Sequence, residues 1–317
     1  MQINLSYSLI SIESIKEILF INFNFYDITY CELFQSSSSD IYKIVNKGNI
    51  YYFKVYFTNS KIYKDLEFEI EVMNKLKQYN ISCYPIESDK NSYIIKLNCI
   101  EGLRYAILLS NSEGIELNYN MHKSAIIYGK YQAILHNNLD NLSIAQYKEF
   151  NLFDTISKSS SKIIDFLNQK DKERNFFIKI KEQIILNIKN ISLDKFEFGI
   201  CHNDLHGGNS SIDKYNSLRF YDFDFCSYNY RIYDLAVFYW SCLNRKNETQ
   251  WNSFIHSYKM IKNINLDELK YINNFIVIRD LIVISLYVDK TKRLGSSFIN
   301  DNFLYNRIDF LKNLKLR

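Results

Sequence analysis

An aspartate, an asparagine five positions later and a second aspartate thirteen beyond that have the spacing of a catalytic set. They are Asp204 and Asn209, in the run CHNDLHGGN (201–209), and Asp222, in the run YDFDF (221–225). Phosphoryl transfer from a nucleotide needs a base for the attacking hydroxyl and two oxygen ligands for magnesium. Asp204 sits in an apolar-flanked loop beside Gly207 and Gly208, which allow a tight turn, so its carboxylate can be held ready to take a hydroxyl proton. Asp213 to Asn216 reads as a turn between two short strands. That hairpin is expected to return Asp222 beside Asn209, and strand alternation would put Leu218, Phe220, Asp222 and Asp224 on one face. A carboxylate that continues an apolar face either ligates something or is costly to bury. Each of these residues alone fits a solvated hairpin equally well; the three together at this spacing do not. His202 and His206 stand four apart but have no third ligand in view. Zinc is therefore not expected, and His202 reads as a prop for the loop.

A second group lies upstream. Lys54 is the one charge in the aromatic strand IYYFKVYF (50–57), where it suits the α- and β-phosphates of a nucleotide. Alone it would read as an edge-strand lysine that discourages aggregation. The following helix changes that balance. Leu66, Ile70, Met73 and Leu76 make its apolar stripe, and Glu69 falls inside the stripe. A buried glutamate needs a cation, and Lys54 is the expected partner. The run FQSSSSD (34–40) precedes the next strand at the place where a kinase lays a loop over the phosphates. Ser37 and Ser38 would supply backbone N–H groups and hydroxyls there; a polar turn fits the run as well. Asp234 either caps the helix that begins near it or braces the catalytic loop.

The elements that must carry these groups follow from periodicity. A helix is expected near 8–20, strands at Asp40–Val45, Ile50–Phe57 and Tyr93–Cys99, and a helix over Ile62–Tyr79. After Glu101–Gly102 the pattern turns mostly helical, near 122–138, 172–191, 232–244 and 267–288, with β structure only around 209–225. Strands first and helices later predict an α+β, two-lobed fold. Residues 1–102 form its small β-rich nucleotide lobe with one key helix, and 103–317 its larger, mainly helical catalytic and acceptor lobe.

Bulk properties limit the classes. With 317 residues the chain can bury a substantial core, and 47% hydrophobic against 23% charged residues is ordinary for a globular protein. A net charge of +4 is too mild and scattered for a nucleic-acid binder. The six cysteines show no paired spacing and read as buried thiols. The start MQINLSYSLI lacks the features of a signal peptide. The apolar run 275–288 is interrupted by Arg279 and Asp280, so no membrane span is expected and the location reads as cytoplasmic.

From about Asp40 to Trp240 the chain resembles the aminoglycoside phosphotransferase and choline kinase group within the protein-kinase-like fold. The resemblance is carried by CHNDLHGGN, by YDFDF and by Asp234-Leu-Ala236. It implies Asp204 as base, Asn209 and Asp222 as magnesium ligands, Lys54 paired with Glu69 at the phosphates, and a nucleotide hinge near Lys96, Asn98 and Ile100. The stretch FDFCSYNYRIYDLAVFYW, with Glu101-Gly-Leu-Arg104 upstream, looks closest to a bacterial branch of mostly unassigned phosphotransferases. Two departures stand out: Asn203 where many relatives have glycine, and serines where the phosphate loop usually has glycines. Neither removes a required group.

The resulting expectation is an ATP- or GTP-dependent O-phosphotransferase with magnesium, monomeric or homodimeric, acting on a small hydroxylated molecule. From Ala236 onward, 13 Lys and Arg face 7 Asp and Glu. That balance favours an amino acid-like acceptor with a carboxylate over a polycationic antibiotic. Arg279 and Asp280 read either as an internal ion pair or as part of the acceptor side. A serine/threonine kinase of peptides or proteins, and a nucleotide-binding scaffold without turnover, are the alternatives.

Overall fold

β-branched and aromatic residues dominate the strand-forming stretches of the first 110 positions, and the strands there build one sheet. The structure, a computed structural model, describes residues 5–117 and 122–316. Met1 to Asn4, part of the start read for a targeting signal, lie outside them. The chain divides into two compact units. The first comprises the residues up to Gly114 together with Ser143–Gln146 and Arg219–Asp224; the second holds Ile115–Leu142, Tyr147–Leu218 and the chain from Phe225 onward.

The first unit opens with helix α1 (Ile12–Phe23), capped by the Ser11 side chain, which accepts from Ser14 N. Strands β1 (Ile28–Ser36), β2 (Ser39–Asn46) and β3 (Asn49–Tyr56) follow, then helix α2 (Tyr63–Leu76). β4 (Pro85–Ile86), β5 (Ile95–Cys99) and β6 (Gly102–Ser110) complete a six-stranded sheet of order β1-β2-β3-β6-β4, with β5 also on β6. Every one of these pairings is antiparallel. One face of the sheet, with Tyr42, Ile44, Phe53, Val55, Ala106 and Leu108, packs on Ile15, Leu19 and Phe23 of α1. Alternation therefore sends Lys54 and Tyr56 of β3 to the other side, where α2 presents Glu69. β6 corrects the expectation of mostly helical structure after Gly102. Its run GLRYAILLS is a short apolar stretch that periodicity cannot assign to helix or strand. Pairing with β3, with Lys54 opposite Ile107, decides it as a strand.

The second unit is mainly helical. β7 (Ile115–Glu116) precedes α3 (His122–Asp140), α4 (Leu152–Phe166) and α5 (Asp171–Lys189). Four short strands follow along the chain: β8 (Phe198–Cys201), β9 (Ser210–Ile212), β10 (Leu218–Phe220), whose last two residues belong to the first unit, and β11 (Ser227–Tyr230). The chain then forms α6 (Arg231–Asn244), α7 (Thr249–Lys259), α8 (Leu266–Leu269), α9 (Ile272–Leu294) and α10 (Asp301–Asn313). The single helix expected over 267–288 is thus two, α8 and α9. β8 and β11 pair antiparallel, so β structure in this unit is not confined to 209–225. α9 is buried through its middle, from Phe275 to Ile282, and packs on α4 and α6. No helix among the described residues is long and apolar enough to cross a membrane. All six cysteines are free thiols, and all but the half-buried Cys99 are buried.

α3 and α7 approach closely because residue 129 has no side chain. A Cβ added to Gly129 would lie 2.2 Å from the carbonyl oxygen of Phe254. In an open helix, Gly→Ala stabilises by about 1 kcal/mol; here the clash with fixed backbone reverses the sign. Gly129→Ala is expected to destabilise by about 1–3 kcal/mol, read as a lower denaturant midpoint.

Candidate active site

The catalytic loop leaves the end of β8, and its first turn needs a backbone few residues adopt. Asn203 has φ +64°, in the left-handed region that glycine and asparagine tolerate best. An asparagine therefore meets the demand of this turn without the strain another side chain would bring. Its side chain is also used: Nδ2 donates to Phe225 O (2.9 Å) and Ser227 Oγ (2.7 Å), while Oδ1 accepts from Asn229 Nδ2 (2.7 Å). These bonds tie the loop to the start of β11.

Asp234, fully buried in the first turn of α6, holds the same loop from below. It accepts from the backbone N–H groups of His202 (2.9 Å) and Asn203 (2.6 Å), and it lies 3.0 Å from His136 Nε2. Its helix starts from Tyr230 without a side-chain cap, so Asp234 braces the loop rather than capping the helix. Burial pushes the Asp234 carboxyl up, but the His136 hydrogen bond and the His202 amide outweigh it and hold it below the usual range. Burial and the Arg231 charge keep the His136 imidazole low. A neutral His136 donating from Nε2 to Asp234 and accepting at Nδ1 from the Tyr258 hydroxyl (2.6 Å) fits both shifts.

With the turn fixed, Asp204 is presented almost fully buried, at 7% exposure. His202 Nδ1 receives its backbone N–H at 3.3 Å. Its Oδ2 accepts from Asn209 Nδ2 at 2.9 Å and lies 3.7 Å from His206 Nε2, while its Oδ1 accepts from Arg279. Asn209 Nδ2 also donates to the Asp204 carbonyl at 2.9 Å. Both amide protons of Asn209 therefore point at Asp204, which orients its Oδ1 as the acceptor end.

Arg279 of α9 is the residue here whose role the sequence left unresolved. Its guanidinium is buried against Asp204 and lies 5.2 Å from the centre of the Trp240 ring. It does not pair with Asp280, whose carboxylate instead accepts from Trp240 Nε1 (2.8 Å) and Arg307 Nη1 (2.7 Å). The reason is helical geometry: adjacent residues point about 100° apart and do not face each other. Burial works against the Arg279 charge, but Asp204 and Tyr233 hold its pKa up.

In the first unit, Lys54 is also buried, and its partners differ from the expected one. Its Nζ lies 2.6 Å from Asp222 Oδ1 and 2.5 Å from Asp224 Oδ1. Burial works against its charge, but Asp222, Asp224 and Glu69 together raise its pKa. Glu69 is buried as its place in the apolar stripe required, yet it pairs with Lys61 (2.9 Å) and accepts from the Tyr56 hydroxyl (3.0 Å). The expected Lys54–Glu69 ion pair is thus replaced by a wider network, and Lys61 and Tyr56 are members that sequence reasoning missed. Burial pushes the Asp224 carboxyl up, but Lys54 and Lys61 hold it well below the carboxylate range. Asp222 does not continue a strand: β10 ends at Phe220, Asp222 has φ +65°, and Phe223–Phe225 form a helical turn. The one-face alternation expected for 218–224 therefore fails beyond Phe220.

Ser37 and Ser38 lie at the turn joining β1 and β2, where Ser37 N donates to Ser39 O (3.1 Å). Below the turn, Asp40 accepts from Ser36 Oγ (2.6 Å), the Tyr7 hydroxyl (2.8 Å) and the fully buried Arg104 (2.8 Å). Lys96 and Asn98 point outward from β5, and Ile100 is exposed in the turn before β6.

Three comparisons bear on this geometry. Residues 33–258 match the family described as APH, phosphotransferase enzyme family. An uncharacterized protein of Synechocystis sp. is 24% identical over 222 residues, covering 68% of this chain. The chain spans 62% of that relative's length. Among solved structures, amicoumacin kinase hAmiN in complex with AMP-PNP, Ca2+ and Ami superposes with a TM-score of 0.75 at 14% identity, covering 95% of this chain and 92% of that one. A microcompartment-associated aminopropanol kinase gives 0.72 at 12% identity, with 95% and 94% covered. At such identities the likeness shows the fold, which is the protein-kinase-like α+β fold expected from the motifs. The family match spans both the Lys54 network and the catalytic loop, and the chain therefore belongs to the phosphotransferase enzyme family.

Proposed function

We propose that this protein moves the γ-phosphate of ATP or GTP to a hydroxyl of a small molecule. The observation that carries the reading is the buried Asp204 carboxylate, held by Arg279 and Asn209 on a loop braced by Asp234. In this reading Asp204 accepts the proton of the attacking hydroxyl. Lys54 engages the nucleotide phosphates, with the β1–β2 turn at Ser37 and Ser38 over them and Lys96, Asn98 and Ile100 near the base.

Asn209 and Asp222 are the magnesium ligands of this reading. Their chemistry fits a hard cation: Asn209 turns an amide oxygen away from Asp204, and Asp222 Oδ1 already accepts from the Lys54 ammonium. Magnesium held by such oxygen ligands would neutralise charge on the phosphate oxygens.

The small-molecule acceptor is supported by neighbours named as kinases of amicoumacin and aminopropanol. An acceptor carrying a carboxylate near its hydroxyl agrees with the basic balance after Ala236 and with Arg279 beside Asp204. Incubation with γ-labelled ATP, magnesium and a fractionated cell extract tests the reading. Label is expected in a small-molecule fraction. Label confined to macromolecules would make the protein a peptide or protein kinase, and no magnesium-dependent nucleotide binding at all would end the reading.

A further inference from the structure

The turn joining β1 and β2 is clasped at its neck by one buried node. Ser36, the last residue of β1, and Asp40, near the start of β2, are cross-strand partners there. Asp40 Oδ1 accepts from Ser36 Oγ at 2.6 Å and from the Tyr7 hydroxyl at 2.8 Å, while its Oδ2 accepts from Arg104 Nη2 at 2.8 Å. Arg104, 1% exposed, directs its other donors to carbonyls: Nε to Tyr56 (2.9 Å) and Nη1 to Ser8 (2.9 Å). Ser8 Oγ in turn donates to Glu101 Oε2 (2.7 Å). The node thus joins both arms of the turn, the chain ahead of α1, the end of β3 and the start of β6. Asp40 pairs with Val55 and Ile41 with Lys54, so the Asp40 carboxylate lies on the face of the sheet opposite Lys54.

A turn that cradles phosphate through its backbone must be held in one shape, or binding bears the entropy of ordering it. The run FQSSSSD (34–40) contains no glycine, and none of its residues has a positive φ. Its shape is one that ordinary backbone adopts, and the clasp keeps it there before any ligand arrives. We infer that Asp40, Arg104 and Tyr7 are positioning residues for this turn. Arg104 fixes the Asp40 carboxylate, and that carboxylate closes the neck through Ser36 with the help of the Tyr7 hydroxyl. The inference rests on the function proposed above, in which Ser37 and Ser38 lie over the nucleotide phosphates. The three residues act through the turn and touch no nucleotide. The segment ahead of α1 thereby becomes part of what shapes the phosphate site.

The test is the share of nucleotide affinity that the phosphates supply. It is read on the full chain as the Kd of AMP-PNP with magnesium against the Kd of adenosine, the latter by ligand-observed NMR. A variant carrying both Tyr7→Phe and Ser36→Ala removes the two neutral donors to Asp40 and keeps its ion pair with Arg104, so no buried charge is left alone. It is expected to raise the AMP-PNP Kd about fivefold or more while the adenosine Kd stays within about twofold of wild type. Hydrogen exchange of the amides in 36–40 should quicken in the same variant. Should the double variant fail to fold, Tyr7→Phe alone carries the test, with a rise of about threefold expected. A role in general stability would weaken both ligands together, and that result overturns the inference. So does an unchanged AMP-PNP Kd, whether or not exchange quickens, since the shape of the turn would then not matter to the phosphates. Failure of the underlying reading looks different: wild-type protein would bind adenosine as tightly as AMP-PNP, or would bind neither.

Discussion

Asp204→Asn is expected to slow phosphoryl transfer by roughly 10²–10⁴-fold while leaving nucleotide affinity nearly intact, the loss that removal of a positioned general base gives. The substitution is close to isosteric. Its remaining oxygen can stay toward Arg279, but its amide nitrogen then meets Asn209 Nδ2, itself a donor. One donor must turn away, so a modest loss of stability accompanies the kinetic one. Nucleotide affinity is retained because Lys54 and its carboxylates belong to a different part of the chain. Steady-state kcat and a nucleotide Kd on the same preparation separate the two effects. A variant with unaltered kcat would remove Asp204 from the base role. One with kcat intact and affinity lost would move the residue to the nucleotide.

The second large effect lies at Asp234. Asp234→Ala leaves the His202 and Asn203 amides and the His136 imidazole without their buried acceptor. Breaking a buried charged network from one side costs about 3–5 kcal/mol. The denaturant midpoint should fall accordingly, and because those amides set the turn that presents Asp204, kcat should fall with it. The pH dependence has a definite sign. Asp234 and His136 both have folded pKa values below their ordinary ones, so each binds fewer protons when folded. Their contribution is full above the unfolded values and is lost as pH falls. For His136 the loss begins below roughly pH 6.5, and for Asp234 below roughly pH 3.9. Unfolding midpoints between pH 8 and pH 5 should therefore decline toward acid in the wild-type protein. A midpoint that rose on acidification would contradict a neutral His136 donating to Asp234.

The catalytic segment was legible because its chemistry is local in sequence. Asp204, Asn209 and the glycines lie within a few residues, and the turn needs only the left-handed Asn203 to form. The position of Glu69 could also be read, since a helix repeats every 3.6 residues and the apolar stripe leaves one carboxylate inside it. The partner of that carboxylate could not. Lys61 sits in a loop without periodicity, and nothing in its neighbourhood distinguishes it from an exposed lysine. Arg279 was half legible: a charge inside the buried run of α9 demanded a partner, but the internal pair with Asp280 that the sequence offered fails because adjacent helical residues do not face each other. Naming Asp204 instead required knowing where α9 packs. β6 was missed because an apolar run takes its structure from its neighbours in the sheet. The strand expected through Asp224 failed because the left-handed residue 222 ends the extended backbone.

Phosphorus NMR of the protein with ATP, magnesium and a panel of small carboxylated and aminated alcohols tests the central assignment most directly. A new phosphomonoester resonance should appear with wild-type protein and be lost with Asp204→Asn. Accumulation of inorganic phosphate alone, or the same phosphomonoester at equal rate with Asp204→Asn, would contradict it.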